Sequence, residues 1–151
     1  TQAGGILVVG VDKLLTVLAK CCKPVPPDPI IGFVTRGRGI TVHRRECANV
    51  ARLSDNSNAR LITAEWDASR RGETASYVVD IEVQASDRRG LLRDISQVLS
   101  REKIDVTSTY TQSRDVTASL RFTLRIVDLS QLRRVLALIG NVPGVVSAAR
   151  K

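Results

Sequence analysis

At 151 residues and a formal net charge of +8, the chain has room for one domain or two small ones, and its basic excess excludes an acidic or neutral surface. Apolar residues make up 43%, but aromatics only 3% and Met none, so the interior must be built from Val, Leu, Ile and Ala, and extended aromatic stacking platforms are excluded. Three cysteines, an odd count, argue against a disulfide framework. No apolar run approaches the roughly twenty residues of a membrane-spanning helix, which together predict reduced thiols and a cytoplasmic setting.

In chain order, the opening Thr-Gln-Ala-Gly-Gly has no basic signal-peptide front and reads as the start of an excised fragment. Residues 6–9, Ile-Leu-Val-Val, predict a short buried strand. Asp12 is placed to cap a helix carrying Leu14, Leu15, Val17 and Leu18, which leaves Cys21 and Cys22 at a helix end, where Pro24, Pro26, Pro27 and Pro29 forbid continuation. Residues 30–35 and 40–42 predict two strands joined by Arg36-Gly37-Arg38-Gly39, because glycine supplies the positive φ of a tight hairpin turn. A helix beginning near His43 would put His43 and Cys47 on one face. It would run through Ala48, Val50 and Leu53 to the polar loop 54–58, and a strand over 60–66 would close the first unit.

Residues 67–75 carry almost no apolar surface and predict a linker between a first domain, 1–66, and a second, 76–151. From Tyr77 the chain alternates strictly, Tyr77, Val79, Ile81, Val83 and Ala85 against Asp80, Glu82 and Gln84, as in a strand covered on one side. Leu91, Leu92, Ile95, Val98 and Leu99 form a helical stripe with Ser86 or Asp87 available as cap. Residues 104–112 alternate weakly and 118–126 strongly. Leu129, Leu132, Val135, Leu136 and Ile139 form a second stripe that Gly140 ends, and 142–148 predicts a last strand. Strand, helix, strand, strand, helix, strand is the ferredoxin-like βαββαβ order, so the predicted class is α+β: a small zinc-finger-like module followed by that fold.

The chemistry concentrates in one segment. Cys21, Cys22, His43 and Cys47 include every cysteine and the single histidine, a donor set that suits a closed, structural, tetrahedral zinc site. The adjacency of Cys21 and Cys22 departs from the usual spaced pair and requires a sharp backbone turn. Small buried thiols are the alternative reading. With all four ligands present and no Glu placed as a base, a free-standing zinc enzyme is disfavoured, and no catalytic residues are assigned.

Around these ligands, residues 36–52 hold Arg36, Arg38, Arg44, Arg45 and Arg52 against Glu46 alone, a net +4. The whole of residues 1–75, with 11 basic and 7 acidic side chains, also nets +4, so that window supplies the excess. Arginine forks grip phosphate through paired hydrogen bonds, so the window predicts contact with an RNA backbone, read by shape and charge. In the second domain the loop Asp87-Arg88-Arg89-Gly90-Leu91-Leu92 opens a helix and would suit a carboxylate or phosphate; a merely structural turn is the plainer reading.

Two resemblances follow from these motifs. Asp87-Arg88-Arg89-Gly90-Leu91-Leu92 on a strand-to-helix loop, with Val142-Pro143-Gly144-Val145 entering the last strand, resembles an ACT domain. The segments Val11-Asp12-Lys13-Leu14-Leu15, Ala19 to Pro26, Ile31 to Thr35, Gly37 to Arg44 and Cys47-Ala48-Asn49 resemble the C-terminal regulatory region of long RelA/SpoT-type (p)ppGpp synthetases, GTP pyrophosphokinases of the stringent response.

The resemblance implies a zinc-finger-like or RIS domain followed by ACT, helping a larger enzyme dock on the ribosome beside uncharged tRNA. It implies Cys21, Cys22, His43 and Cys47 as metal or structural ligands, and Arg36, Arg38, Arg44 and Arg45 as ribosomal RNA contacts. For the ACT part it implies ligand binding, often of amino acids, at Asp87 to Leu92, side-by-side pairing into a homodimer, and control of catalytic domains that this chain lacks. An amino-acid sensor that signals to an enzyme elsewhere is the rival function.

Overall fold

The computed structural model describes residues 6–8, 16–35, 39–54, 59–67 and 76–151. The chain divides into two compact units, Thr1–Ala75 and Ser76–Lys151.

Unit 1 is built on five short strands: β1 (Ile6–Val8), β2 (Thr16–Leu18), β3 (Ile30–Thr35), β4 (Gly39–Arg44) and β5 (Ala59–Trp66), with helix α1 (Ala48–Ser54) between the last two. They lie in the order β1-β5-β3-β4-β2, antiparallel throughout except that β2 runs parallel to β4. The expected β3–β4 hairpin forms, with the second strand starting one residue earlier than expected: Gly39, at φ 78°, already pairs with Thr35. Arg36 and Arg38 lie outside the described residues.

The expected helix over residues 12–18 is corrected where the structure describes it. Thr16, Val17 and Leu18 form β2, paired with Ile40, Thr41 and Val42. Two of those three side chains are β-branched, and the available partner edge outweighs a helical spacing read from four apolar positions. Asp12, Leu14 and Leu15 lie outside the described residues, as does the expected loop at 55–58.

Central strand β3 carries Gly32 because the site has no room for more: a Cβ there would stand 2.7 Å from Ile62 Cγ2 and 3.3 Å from the Ile62 carbonyl oxygen. Ile30, Ile40, Val42 and Ala64 form the buried core of this sheet, with Leu18, Val34, Ile62 and Trp66 packed against it. Alternation then turns Phe33 and His43 to the opposite face, where their rings meet edge to face with centroids 5.4 Å apart.

Unit 2 has the predicted order: β6 (Tyr77–Ser86), α2 (Leu91–Arg101), β7 (Asp105–Arg114), β8 (Thr117–Ile126), α3 (Leu129–Gly140) and β9 (Val145–Arg150). The antiparallel sheet runs β7-β8-β6-β9. Val79, Ile81, Val83, Leu120, Phe122 and Leu124 are buried on one face against Ile95, Leu99, Val135 and Ile139 from the helices. Eighteen apolar side chains are buried here, against eight among the described residues of unit 1, and each large one contributes about 1.5–3 kcal/mol. The second unit therefore has the larger hydrophobic reserve.

The expected cap of α2 is corrected too. Its N-cap is Gly90, left-handed at φ 80°, with no side-chain cap bond, while Ser86 still belongs to β6. In α3 Asp128 is the N-cap. Its carboxylate accepts from Gln131 N at 2.8 Å, and the Gln131 side chain accepts in turn from Val127 N at 2.9 Å, a reciprocal arrangement close to a capping box. The last strand begins at Val145, after a turn in which Gly144 has φ 95°.

Candidate metal centre

Three segments of unit 1 meet at one point. After β2 the chain folds back at once: the N–H of Lys23 donates to the Ala19 carbonyl at 3.0 Å, and Lys23 itself is left-handed at φ 46°. This is the sharp turn that adjacent cysteines require. His43 comes from β4, on the face away from the core. Cys47 stands just before α1, its N–H donating to the Arg44 carbonyl and its carbonyl accepting from Val50. His43 and Cys47 thus sit on a strand and at a helix entry, not on one helical face as their spacing suggests.

The Cys21, Cys22, His43 and Cys47 ligand atoms all lie within 4.8 Å of one another. Cys21 Sγ is 3.4 Å from His43 Nδ1 and 3.7 Å from Cys47 Sγ, and Cys22 Sγ is 3.8 Å from the same imidazole nitrogen. A tetrahedron with zinc–sulfur bonds of about 2.3 Å and a zinc–nitrogen bond of about 2.0–2.1 Å has edges of about 3.6–3.8 Å. Three separations lie near that figure and none of the others exceeds 4.8 Å, so the donor set is of the type, and close to the size, that a zinc ion takes.

The electrostatics point the same way. Burial above all pushes the Cys22 thiol up to about 12, with the neighbouring Cys21 and Cys47 sulfurs acting in the same direction and the Arg44 N–H that donates to its sulfur at 3.3 Å offsetting part of the rise. For Cys21, burial acts upward, but hydrogen bonds from Asn49, Cys47 and Cys22 outweigh it and hold the thiol below its ordinary value. Burial lowers His43, which favours the neutral imidazole that a metal ligand requires. Crowded thiols, one held below its ordinary value and one pushed above it, are an arrangement that a divalent cation would relieve.

The described arginines are not equivalent. Arg44 is largely withdrawn, its side chain 16% exposed and paired with Glu46 at 3.5 Å, and its buried Nε has no hydrogen-bond partner among the described residues. Arg45 and Arg52 are exposed, Arg52 in the last turn of α1, where a cation is favourable. Arg45 also borders a hollow of about 300 Å³, with Asp28, Pro29, Ile30, Thr63, Glu65 and Trp66 around it, which sequence spacing could not reveal because it joins β5 to the turn before β3.

In unit 2, the loop Asp87 to Leu92 is held from within. Arg88 donates to the Pro143 carbonyl at 2.8 Å, the Arg89 carbonyl at 3.0 Å and Asp94 at 2.8 Å, tying the loop to the turn before β9 and to the first turn of α2. Asp87 and Arg89 are exposed, Leu91 is buried and Leu92 half-exposed. No helix of the described residues is long and apolar enough to cross a membrane.

Both units match known protein families. The family model described as the RelA/SpoT RIS domain matches residues 6–67, and that of the ACT domain matches residues 73–150. The chain is 40% identical over 149 residues to a GTP pyrophosphokinase of Escherichia coli (strain K12), covering 97% of this chain and 20% of that protein. Against the GTP pyrophosphokinase of Streptomyces coelicolor identity is 42% over 147 residues, covering 97% of this chain and 17% of the relative. The chain spans about a fifth of the length of these relatives. Among solved structures, the ACT domain from the GTP pyrophosphokinase of Chlorobium tepidum aligns at 16% identity with a TM-score of 0.48, over 51% of this chain and all of that one.

Proposed function

Because this chain belongs to the RelA/SpoT family as a RIS domain followed by an ACT domain, we propose that it is the C-terminal regulatory region of a (p)ppGpp synthetase, a GTP diphosphokinase. In this reading it docks the parent enzyme on ribosomal RNA beside uncharged tRNA and controls catalytic domains that it does not itself contain.

The observation that carries the reading is the convergence of the Cys21, Cys22, His43 and Cys47 ligand atoms within 4.8 Å of one another. A structural zinc held there joins the turn after β2, the end of β4 and the entry to α1 into one rigid body. The exposed guanidinium groups of Arg45 and Arg52 then become fixed donors for phosphate oxygens, and Arg36 and Arg38 belong to the same basic window of the sequence. Zinc supplies cohesion; the arginines supply contact. Domains at 1–66 and 76–151 separated by a linker at 67–75 complete the proposal, with the ACT units of two copies pairing side by side. The Arg88 bonds fill the loop at 87–92 with protein groups, which favours docking over amino-acid sensing.

The test is co-sedimentation with ribosomes. Replacing Arg36, Arg38, Arg45 and Arg52 by Glu should abolish pelleting at moderate salt while zinc content and circular dichroism stay unchanged. Arg44 is left intact because its side chain is packed. Undiminished pelleting of the variant would refute the docking role.

A further inference from the structure

The three thiols of unit 1 differ in access. Cys21 is exposed in the turn after β2, Cys47 is half-buried between the end of β4 and α1, and Cys22 is buried at 6% exposure. An oxidant arriving from solvent meets Cys21 first, because oxidation of sulfur follows access. Beside Cys21 Sγ, at 3.7 Å, stands Cys47 Sγ, although the two residues are 26 positions apart in the chain.

Cys22 is disfavoured as the partner of Cys21 on two grounds. Consecutive Cα atoms lie about 3.8 Å apart across a trans peptide, short of the roughly 4.4–6.8 Å that disulfides span, so adjacent cysteines close only a strained ring. The Cys22 sulfur is also engaged, accepting from the Arg44 N–H at 3.3 Å and lying 3.8 Å from His43 Nδ1. Cys21 and Cys47 belong to turns or their margins rather than to the interior of a regular element, and their sulfurs need to approach by only about 1.7 Å to reach bonding distance.

We propose that Cys21 and Cys47 form a reversible oxidation site whose co-reactant is a peroxide. The Cys21 sulfur attacks one oxygen of hydrogen peroxide: the S–O bond forms, the O–O bond breaks, and the other oxygen leaves as water with the thiol proton. The Cys47 sulfur then attacks the Cys21 sulfenic acid: the S–S bond forms, the S–O bond breaks, and the hydroxyl leaves as a second water with the second thiol proton. Two electrons pass from the two sulfurs to the peroxide.

The consequence falls on the donor set. Closing the pair withdraws two of the four ligand atoms and leaves Cys22 and His43, too few for a closed tetrahedral site. The same bond ties the turn after β2 to the entry of α1, so the unit exchanges one cross-link for another instead of opening. A disulfide in thiol-reducing surroundings is transient, which suits a sensing pair rather than a structural one. The inference goes beyond the docking reading and stands on the thiols alone, whether or not they share a metal.

The experiment adds one equivalent of hydrogen peroxide to the reduced 151-residue chain and follows intact mass, thiol content under denaturing conditions and a peptide map made without reductant. The product should be a monomer lighter by two hydrogens, with one thiol left of three and Cys21 joined to Cys47. Any zinc that the chain carries should be lost in the same step, read with a coloured chelator, and dithiothreitol should restore all the thiols. Cys47→Ser should stop at a Cys21 sulfenic acid that dimedone traps, whereas Cys22→Ser should still form the pair. The map of the native chain decides by itself if a variant fails to fold. Cross-links that include Cys22, cross-links between chains, or survival of all the thiols would overturn the site. A zinc-free preparation that still joins Cys21 to Cys47 would refute the metal reading and leave this one standing, and a zinc-bearing chain that ends in another product would do the reverse.

Discussion

The backbone N–H of Arg44 donates to Cys22 Sγ at 3.3 Å, joining residues 22 positions apart. This contact puts a strand end in register with the turn after β2 and orients the buried thiol toward His43. It also makes the local backbone a partner of the metal ligand, an outer contact of the kind that fixes ligand orientation.

Removal of the metal is therefore expected to act on unit 1 selectively. A strong chelator should lower or abolish the first of two melting transitions and leave the second, that of the larger core, nearly unchanged. Elemental analysis of the purified chain should find one zinc per molecule. An unaltered melting profile and a metal-free preparation together would refute the site.

Substitution by cobalt checks the ligand count. Three thiolates and one imidazole should give intense sulfur-to-cobalt charge-transfer absorption and tetrahedral ligand-field bands. Cys21→Ser, Cys22→Ser and Cys47→Ser should each reduce the charge-transfer band by about one third if all three sulfurs are bound. An unchanged spectrum for either Cys21→Ser or Cys22→Ser would reduce the sulfur ligands to two.

Asp94 should give unit 2 a defined acid sensitivity. The hydrogen bond from Arg88 holds its carboxyl below the usual range, burial opposes weakly, and Arg93 adds to the lowering. Since the folded value lies below the unfolded value of about 3.9, the stabilisation is complete above that pH and is lost as pH falls through the folded value. Arg88→Met should flatten the dependence of urea stability on pH below about 4. Equal slopes for variant and native chain would show that the pair contributes nothing.

At the start of α3, Asp128→Ala should cost about 1 kcal/mol in denaturant unfolding, and Asp128→Asn a few tenths, because asparagine caps nearly as well. A loss equal for both would mean that charge rather than the bond to Gln131 N is what matters.

Much of unit 2 was readable in the sequence because its strands are long and one-sided: ten residues of strict alternation in β6 leave no other assignment. The gathering of Cys21, Cys22, His43 and Cys47 was readable by type, since thiols and an imidazole that share a segment suggest a common site. Less was readable where elements are short. Three residues of β2 carry no periodicity, and their strand state comes from β4, more than twenty residues away. The spacing of His43 and Cys47 suggested a shared helix, yet the ligands converge through a strand end and a helix entry. The cap of α2 was missed because Gly90 makes the turn by backbone conformation, with no side chain to advertise it.

Trp66 is the sole tryptophan of the chain, and its indole N–H donates to the Asp28 carbonyl at 2.8 Å at the far end of β5. It is an intrinsic optical reporter placed in unit 1 alone. Tryptophan emission will follow the unfolding of unit 1, while far-ultraviolet dichroism follows both, so the two halves can be watched separately in an unlabelled chain.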